Sequence, residues 1–477
     1  MLPTTAVSRV AGPARAEQAK EAEVVGGAAG VGPTVPMVGV LASPATAAAG
    51  ARRAQQLLRT LGPGTGGGPG RPRGLAGRAP SPRDVCIVGM ARTPMGAFQG
   101  ALSQLTAPQL GSVAIRAALE RAGVGPELVQ EVIMGNVLSA GLGQAPARQA
   151  ALGAGLPPSA CCTTVNKVCS SGMKAVTMAQ QSIAAGVSDV VVAGGMESMS
   201  NCPYYLPKAR AGHRMGHAQA VDGMLFDGLW DPYGDEHMGN CGELCAAEYG
   251  ISREAQDDFA LESCRRAHRG ATEGWFREEI APVEVPGRGG RPGTLVEADE
   301  AVGDVQEAKL RGLRPAFQRD GGTVTAGNAS PISDGASALV LVSRAKAEAL
   351  GLAVLATVEG WAEAEQRPEW FTTAPALAMP KAIARAGLAV EDVEYFEINE
   401  AFAVVGLVNR QKLGLPADRV NAHGGAVALG HPVGSSGARI IITLASVLKR
   451  HGGRVGCAGI CNGGGGASAI VIRREAA

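Results

Sequence analysis

Beyond residue 83 the chain alternates between short apolar runs and stretches whose apolar residues recur every three or four positions. The runs predict strands at Val85-Cys86-Ile87-Val88 and over Glu131 to Val137, and a buried strand over Asp189 to Ala193 closed by Gly194-Gly195. The periodic stretches predict helices over 108 to 122 and from near Cys169 through Ile183. Strands and helices in alternation imply α/β layering.

The same order returns late in the chain. Val168-Cys169-Ser170-Ser171-Gly172-Met173-Lys174 resembles Val433-Gly434-Ser435-Ser436-Gly437-Ala438-Arg439, and each is followed by an apolar helix, a strand and a Gly-rich turn. Two related α/β halves are expected, with a site where the paired loops meet. Residues 199 to 332, rich in polar residues, Gly and Pro, interrupt the pattern and read as an inserted loop domain. The halves are then 84–198 with 333–352, and 353–477. Residues 1–83 are of another texture: Ala, Gly, Pro and Arg dominate, and no acidic residue or lysine occurs between Val24 and Arg83. This segment reads either as an unpacked tail or as an organelle-import extension, although Glu17, Glu21 and Glu23 depart from the acid-poor pattern of import peptides.

Charge narrows the function. Lys plus Arg number 44 against 43 Asp plus Glu, without a long block of one sign, which argues against a nucleic-acid or membrane-surface role. Ten cysteines are scattered without a CxxC pair, so neither a disulfide framework nor a four-cysteine zinc site is expected. No run of 18 apolar residues is present.

Four segments could carry chemistry. Cys169 stands at the predicted start of a helix, where unpaired N–H groups and the helix dipole favour a thiolate nucleophile; a small buried cysteine is the commoner outcome in isolation. His431, one of seven histidines, lies in the Gly-rich loop before the equivalent helix of the second half. Cys461 precedes four consecutive glycines, Gly463 to Gly466, whose N–H groups could hold an oxyanion, or which could form a plain turn. Asn399, in Glu397-Ile398-Asn399-Glu400-Ala401-Phe402, reads most simply as a helix cap, and otherwise points into a cleft.

Taken in order and spacing, NKVCSSGMK (166–174), NEAF (399–402), GHP (430–432) and CNGGGG (461–466) closely resemble the motifs of the thiolase family, and the resemblance covers about 84 to 475. It implies two similar βαβαβαββ halves in a five-layered α-β-α-β-α core with a loop domain covering coenzyme A. It also implies roles: Cys169 as the nucleophile acylated by acetyl-CoA, Cys461 as general base and acid, and His431 as activator of the nucleophile and oxyanion-hole donor. Asn399 would hold a water in that hole, and backbone N–H groups of Cys169 and Gly463 would form a second. His237-Met238-Gly239 resembles the loop that narrows the acyl pocket of short-chain biosynthetic members, and Thr325 to Ser330 the segment along the pantetheine arm, so that His237, Met238, Ala326, Gly327, Ser330 and Phe402 are expected at the substrate.

The body is most similar to plant and algal acetoacetyl-CoA thiolases. Acetyl-CoA, acetoacetyl-CoA and CoA are thus the implied small-molecule partners, in a homodimer or homotetramer, with no metal in the chemistry and no cofactor beyond coenzyme A. Cys264 stands where potassium-activated animal enzymes place a tyrosine, which speaks against potassium activation. A broad-range 3-ketoacyl-CoA thiolase of β-oxidation shares all four motifs and is the main alternative; a non-catalytic acyl-CoA or lipid carrier is a remoter one, since binding alone needs none of the four. The last residues, Glu475-Ala476-Ala477, are not an SKL-type peroxisomal address, and the N-terminal segment leans towards a mitochondrion over the cytoplasm.

Overall fold

The computed structural model describes residues 80–475 apart from 288, 290, 291 and 304, so the expected N-terminal extension lies outside the described residues except for its last four. Ten strands form the main sheet. Nine of them are β1 (Val85–Arg92), β2 (Glu131–Gly135), β3 (Cys161–Val165), β4 (Val190–Ser198), β5 (Ser333–Ser343), β6 (Ala356–Glu365), β7 (Tyr395–Ile398), β8 (Val455–Asn462) and β9 (Gly466–Arg474). The tenth, Gly96–Ala97, pairs with the start of β5. The order is β7-β8-β9-β6-β1-β5-β4-β2-β3.

The principal helices are α1 (Ala107–Ala122), α2 (Pro146–Gly153), α3 (Ser171–Ala184), α4 (Met238–Glu248), α5 (Arg253–Thr272), α6 (Pro375–Arg385), α7 (Ala403–Leu413) and α8 (Val433–His451). Helices α4 and α5 belong to the stretch between β4 and β5. Without that stretch the first half runs β1-α1-β2-α2-β3-α3-β4-β5. The second runs β6-α6-β7-α7, then a single parallel bridge between Phe396 and Val420 where a third strand would stand, then α8-β8-β9. Pairing repeats too: β1–β5 and β5–β4 are antiparallel and β4–β2 parallel, as β6–β9 and β9–β8 are antiparallel and β8–β7 parallel. The halves join edge to edge through Cys86 opposite Thr357 and Ile87 opposite Ala356.

Alternate residues of each strand face opposite layers. Val85 and Ile87 of β1 and Leu339 and Leu341 of β5 pack, with Ile470 and Ile472 of β9, around α3 and α8 between the two halves. Cys86, Val88, Val340 and Val342 face outward onto α1 and α2. Burial on both faces is why these strands are apolar at consecutive positions.

The sequence reading ended the strand before Gly194-Gly195, whereas β4 runs through both glycines to Ser198. They permit close approach. A Cβ on Gly194 would lie 2.0 Å from Ser337 O, and one on Gly195 would lie 1.9 Å from Gly434 O. The two repeat segments meet at their equivalent glycines, since a Cβ on Gly172 would stand 2.8 Å from Ala438 N and one on Gly437 2.5 Å from Met173 N. The crossing of α3 and α8 therefore excludes side chains at its centre.

At the C-terminal end of α8, His451 meets His423 of the loop before His431, with Nε2 atoms 3.2 Å apart. His423 is buried and its Nδ1 has no partner. Its single proton therefore belongs on Nε2, donated to His451, because an orphaned lone pair costs less than an orphaned N–H. Burial, then the neighbouring His451 and Arg450, push His423 down to about 3. A depressed imidazole value leaves stability intact above the unfolded value near 6.5 and removes it as pH falls below that, about 2 kcal/mol by pH 5. The Tm of the chain is accordingly expected to drop further between pH 7 and pH 5 than that of His423→Asn; equal drops would show that another group is responsible.

Candidate active site

Between the end of β3 at Val165 and the start of α3 at Ser171 the chain makes a tight elbow that presents Cys169. Val168 takes φ +46° there, a left-handed conformation that a β-branched residue adopts at a cost of order 1–3 kcal/mol. The elbow is held by Val168 N donating to Asn166 Oδ1 (2.9 Å), Lys167 N to Ser171 Oγ (2.8 Å) and Ser171 Oγ to Val168 O (2.6 Å). Buried Ser170 donates to Asn462 Oδ1 at 2.9 Å, and Asn462 ends β8 directly after Cys461. The two cysteine-bearing segments are thereby fixed to each other.

The backbone N–H groups of Gly463 and of Cys169 itself lie close to the Cys169 sulfur. The sequence reading had the helix terminus favouring thiolate, and the structure reverses the balance: burial pushes Cys169 up to about 12, opposed only in part by the N–H groups of Gly463 and Cys169 itself. Burial, with Cys169 nearby, also holds Cys461 well above the usual thiol range. Both are thiols at neutral pH.

Asn399 follows β7, fully buried, its backbone N–H on Gly459 O at 3.0 Å. It caps no helix, for α7 begins at Ala403 with Phe402 as its N-cap residue. Its Nδ2 stands 3.4 Å from His431 Nε2 and its Oδ1 has no partner. The imidazole is anchored by Nδ1 to Ser436 Oγ at 2.6 Å, and Ser436 Oγ also lies 3.0 Å from Pro432 O. Burial, then the charge of Arg439, push His431 down to about 3, so it is neutral. The hydroxyl of Ser436 has one proton to place. Given to Nδ1, it leaves an N–H at Nε2; given to Pro432 O, it accepts from Nδ1–H and leaves a lone pair at Nε2. His431 can therefore donate or accept at Nε2 without losing its anchor.

The wall beside these groups is apolar. Cys461 and Phe402 share a cluster with Met238, Phe317 and Ala329, and Met238 Sδ lies 3.8 Å from where a Cβ on Gly463 would be. His237 stacks on Phe317 (centroids 4.6 Å) and accepts from Gly239 N at the start of α4. Phe317 in turn meets the edge of Phe402 at 6.1 Å. Ala326 is exposed at the turn formed by Thr325 to Asn328, in which Gly327 N donates to Thr325 Oγ1. The Ser330 hydroxyl donates to Ala401 O at 2.9 Å, tying this segment to the one that bears Asn399.

Residues 85–345 match the family description "Thiolase, N-terminal domain" and residues 352–474 match "Thiolase, C-terminal domain". The chain belongs to the thiolase family. This thiolase is 64% identical over 392 residues to acetyl-CoA acetyltransferase 2 of Arabidopsis thaliana, covering 82% of this chain and 97% of the relative. It is 57% identical over 388 residues to the cytosolic acetyl-CoA acetyltransferase ERG10 of Gibberella zeae, covering 81% and 98%. The crystal structure of Acat5 thiolase from Ascaris suum in complex with coenzyme A matches with a TM-score of 0.78 at 44% identity, over 82% of this chain and all of that one. The family and fold expected from the four motifs are thus found.

Three residues of this thiolase escaped the sequence reading. Phe317, the partner of His237, is a lone aromatic in a polar, irregular stretch and gave no signal. Ser436 shows in the sequence only as a member of the repeat, where its counterpart Ser171 likewise serves the elbow of Cys169. Glu197 accepts from Asn136 Nδ2 (2.8 Å) and from the N–H groups of Val137, Leu138 and Gly434 (2.9, 3.1 and 2.9 Å), binding the β2 loop to the first turn of α8. An acidic residue inside the apolar run of β4 was the signal for it. Among the described residues one group has metal-ligating proximity, Asp231, Glu236 and Cys241. Its atoms are already engaged: Asp231 accepts from the backbone N–H groups of Tyr233 and Gly234, and Cys241 Sγ lies 3.7 Å from Glu236 Oε1.

Proposed function

We propose that this thiolase is an acetyl-CoA C-acetyltransferase, which condenses two acetyl-CoA molecules to acetoacetyl-CoA and CoA, and runs in reverse as a thiolysis. The observation that carries the reading is the meeting of two thiols, half-buried Cys169 and buried Cys461, on segments that the Ser170–Asn462 hydrogen bond ties together. The high thiol value of Cys169 and the low value of His431 disfavour a resting thiolate–imidazolium pair, so the proton leaves sulfur for His431 Nε2 as the new C–S bond forms. Collapse of the tetrahedral adduct expels the CoA sulfur, which takes a proton from Cys461, and leaves acetyl-Cys169, a Cys461 thiolate and a His431 that keeps the proton from Cys169. Cys461 then removes a C2 proton from a second acetyl-CoA, whose carbanion attacks the acetyl carbon. The Cys169 sulfur departs and is reprotonated from His431 while Cys461 keeps the C2 proton, so two acetyl-CoA give one acetoacetyl-CoA and one CoA and all three groups return to their starting state.

Negative charge on the thioester oxygen would be received by His431 Nε2–H and a water on Asn399, and charge on the acetyl-enzyme oxygen by the N–H groups of Cys169 and Gly463; one such donor is worth on the order of 100-fold or more. The residues 199–332 would cover the coenzyme, with Ala326, Gly327 and Ser330 along its arm. Among the described residues strand β3 ends the sheet with one edge unpaired, which supports a homodimer built by pairing with a second copy, or a tetramer of two such pairs.

Met238 against Gly463 limits the acyl pocket, and this separates the reading from a broad-range 3-ketoacyl-CoA thiolase. Acetoacetyl-CoA is expected to be cleaved with kcat/KM at least about 100-fold above that of a ten-carbon 3-ketoacyl-CoA, since surplus methylenes have no room. Comparable initial rates on both substrates would favour the β-oxidation reading.

A further inference from the structure

The two loops that bear Asn399 and His431 are joined by a closed hydrogen-bond network centred on Glu400, and we propose that Glu400, Asn421 and Ser263 are positioning residues that set the spacing of Asn399 and His431. This rests on the proposed function for what those two residues do. Glu400 follows Asn399 directly and is buried. Its Oε1 accepts from Asn421 Nδ2 at 2.7 Å, and its Oε2 accepts from Ser263 Oγ at 2.8 Å and from Val427 N at 3.1 Å. Val427 belongs to the single helical turn Ala426–Leu429 that leads into His431.

Asn421 also grips the residue on the other side of Asn399. Its Oδ1 accepts from Ile398 N at 2.8 Å, and its Nδ2 donates to Ile398 O at 2.9 Å as well as to Glu400. Both amide protons and the carbonyl oxygen are thus committed, and the residue takes φ +50° to deliver them. Ser263 of α5 completes the ring by accepting from Gly425 N at 2.9 Å while donating to Glu400. The segment that bears Asn399 and the turn that leads into His431 are therefore fastened to the same carboxylate.

The spacing so fixed is unusual. At 3.4 Å, with Asn399 Oδ1 unpartnered in a buried place, the two side chains stand too far apart for a good mutual hydrogen bond. They are instead set to receive an oxygen between them. Three donors converge on Glu400, so an uncharged amide in its place must turn an NH₂ towards one of them.

The test is Glu400→Gln. Glutamine has nearly the volume and shape of the glutamate it replaces, which favours folding of the variant. The expected result is a fall in kcat for acetoacetyl-CoA thiolysis of about 10- to 100-fold, with KM for CoA within threefold. Adding Asn421→Asp supplies an acceptor for the new amide and is expected to restore part of the loss. A folded Glu400→Gln protein with kcat within twofold of the unsubstituted chain would overturn the proposal, whatever its Tm. A second readout needs no turnover. The crystal structure of the variant is expected to show the Asn399–His431 spacing changed by more than 0.5 Å, and an unchanged spacing would equally overturn the proposal. Inactivity of the unsubstituted chain would count against the proposed function instead, and the crystallographic comparison would still decide the positioning role.

Discussion

Cys169→Ala is expected to lower kcat for acetoacetyl-CoA thiolysis by at least about 10⁴-fold, and to abolish the acetyl mass that the chain gains on mixing with acetyl-CoA. No other thiol stands in the elbow after β3 with a backbone N–H close to its sulfur. Cys461→Ser divides the mechanism differently. It retains Cys169, the Gly463 N–H and His431, so the acetyl mass should still appear, while exchange of the C2 protons of acetyl-CoA with solvent should stop, because an alcohol is a far weaker acid and its conjugate base is not available at neutral pH. Intact-mass spectrometry and deuterium exchange read the two steps separately. Acetyl mass persisting in Cys169→Ala, or lost from a folded Cys461→Ser, would reverse the roles assigned to the two cysteines.

Arg92→Met is expected to cost about 3–5 kcal/mol of folding stability, the largest loss of any single side chain considered. Arg92 is buried at the end of β1, where Nε donates to Glu279 at 2.8 Å and the two terminal nitrogens donate to Asp299 at 2.6 and 2.9 Å. Glu279 is also approached by Thr443 of α8 at 3.2 Å. Removing the guanidinium leaves two buried carboxylates without their ion-pair partner. The stretch between β4 and β5, which bears Met238, loses one of its anchors to the core with it. Denaturant unfolding measures the loss. Adding Glu279→Gln and Asp299→Asn to Arg92→Met should recover part of it, and a loss below about 1 kcal/mol in the single variant would mean that the pair is hydrated and contributes little.

Much of this was legible in the chain. Consecutive apolar residues at 85–88 and 189–193 marked strands buried on both faces, because a strand between two layers has no polar side. The repeated V-x-S-S-G pattern exposed two equivalent halves, since each half must present a glycine where α3 and α8 cross. Cys169, His431, Cys461 and Asn399 were singled out by residue type and loop position, and their expected roles came from the resemblance of four short motifs to the thiolase family, as such motifs concentrate chemistry in few consecutive residues. Gly194-Gly195 was misread, because a glycine that ends a strand and one that admits another backbone look alike until the other backbone is in view.

What the sequence by itself determined is therefore the set of local choices: which segments form strands and helices, which residues bear reactive atoms, and that the two halves are copies. Only the tertiary structure decided the protonation of the site, because burial is a property of everything packed around a group; it moved Cys169 up and His431 down, against the expectation from a helix terminus alone. The partners of His431 and Asn399 were likewise decided there. Glu400, Asn421 and Ser263 lie up to 158 residues apart in the chain, and no local pattern records that their short, directional hydrogen bonds must close on one another before either loop is held in place.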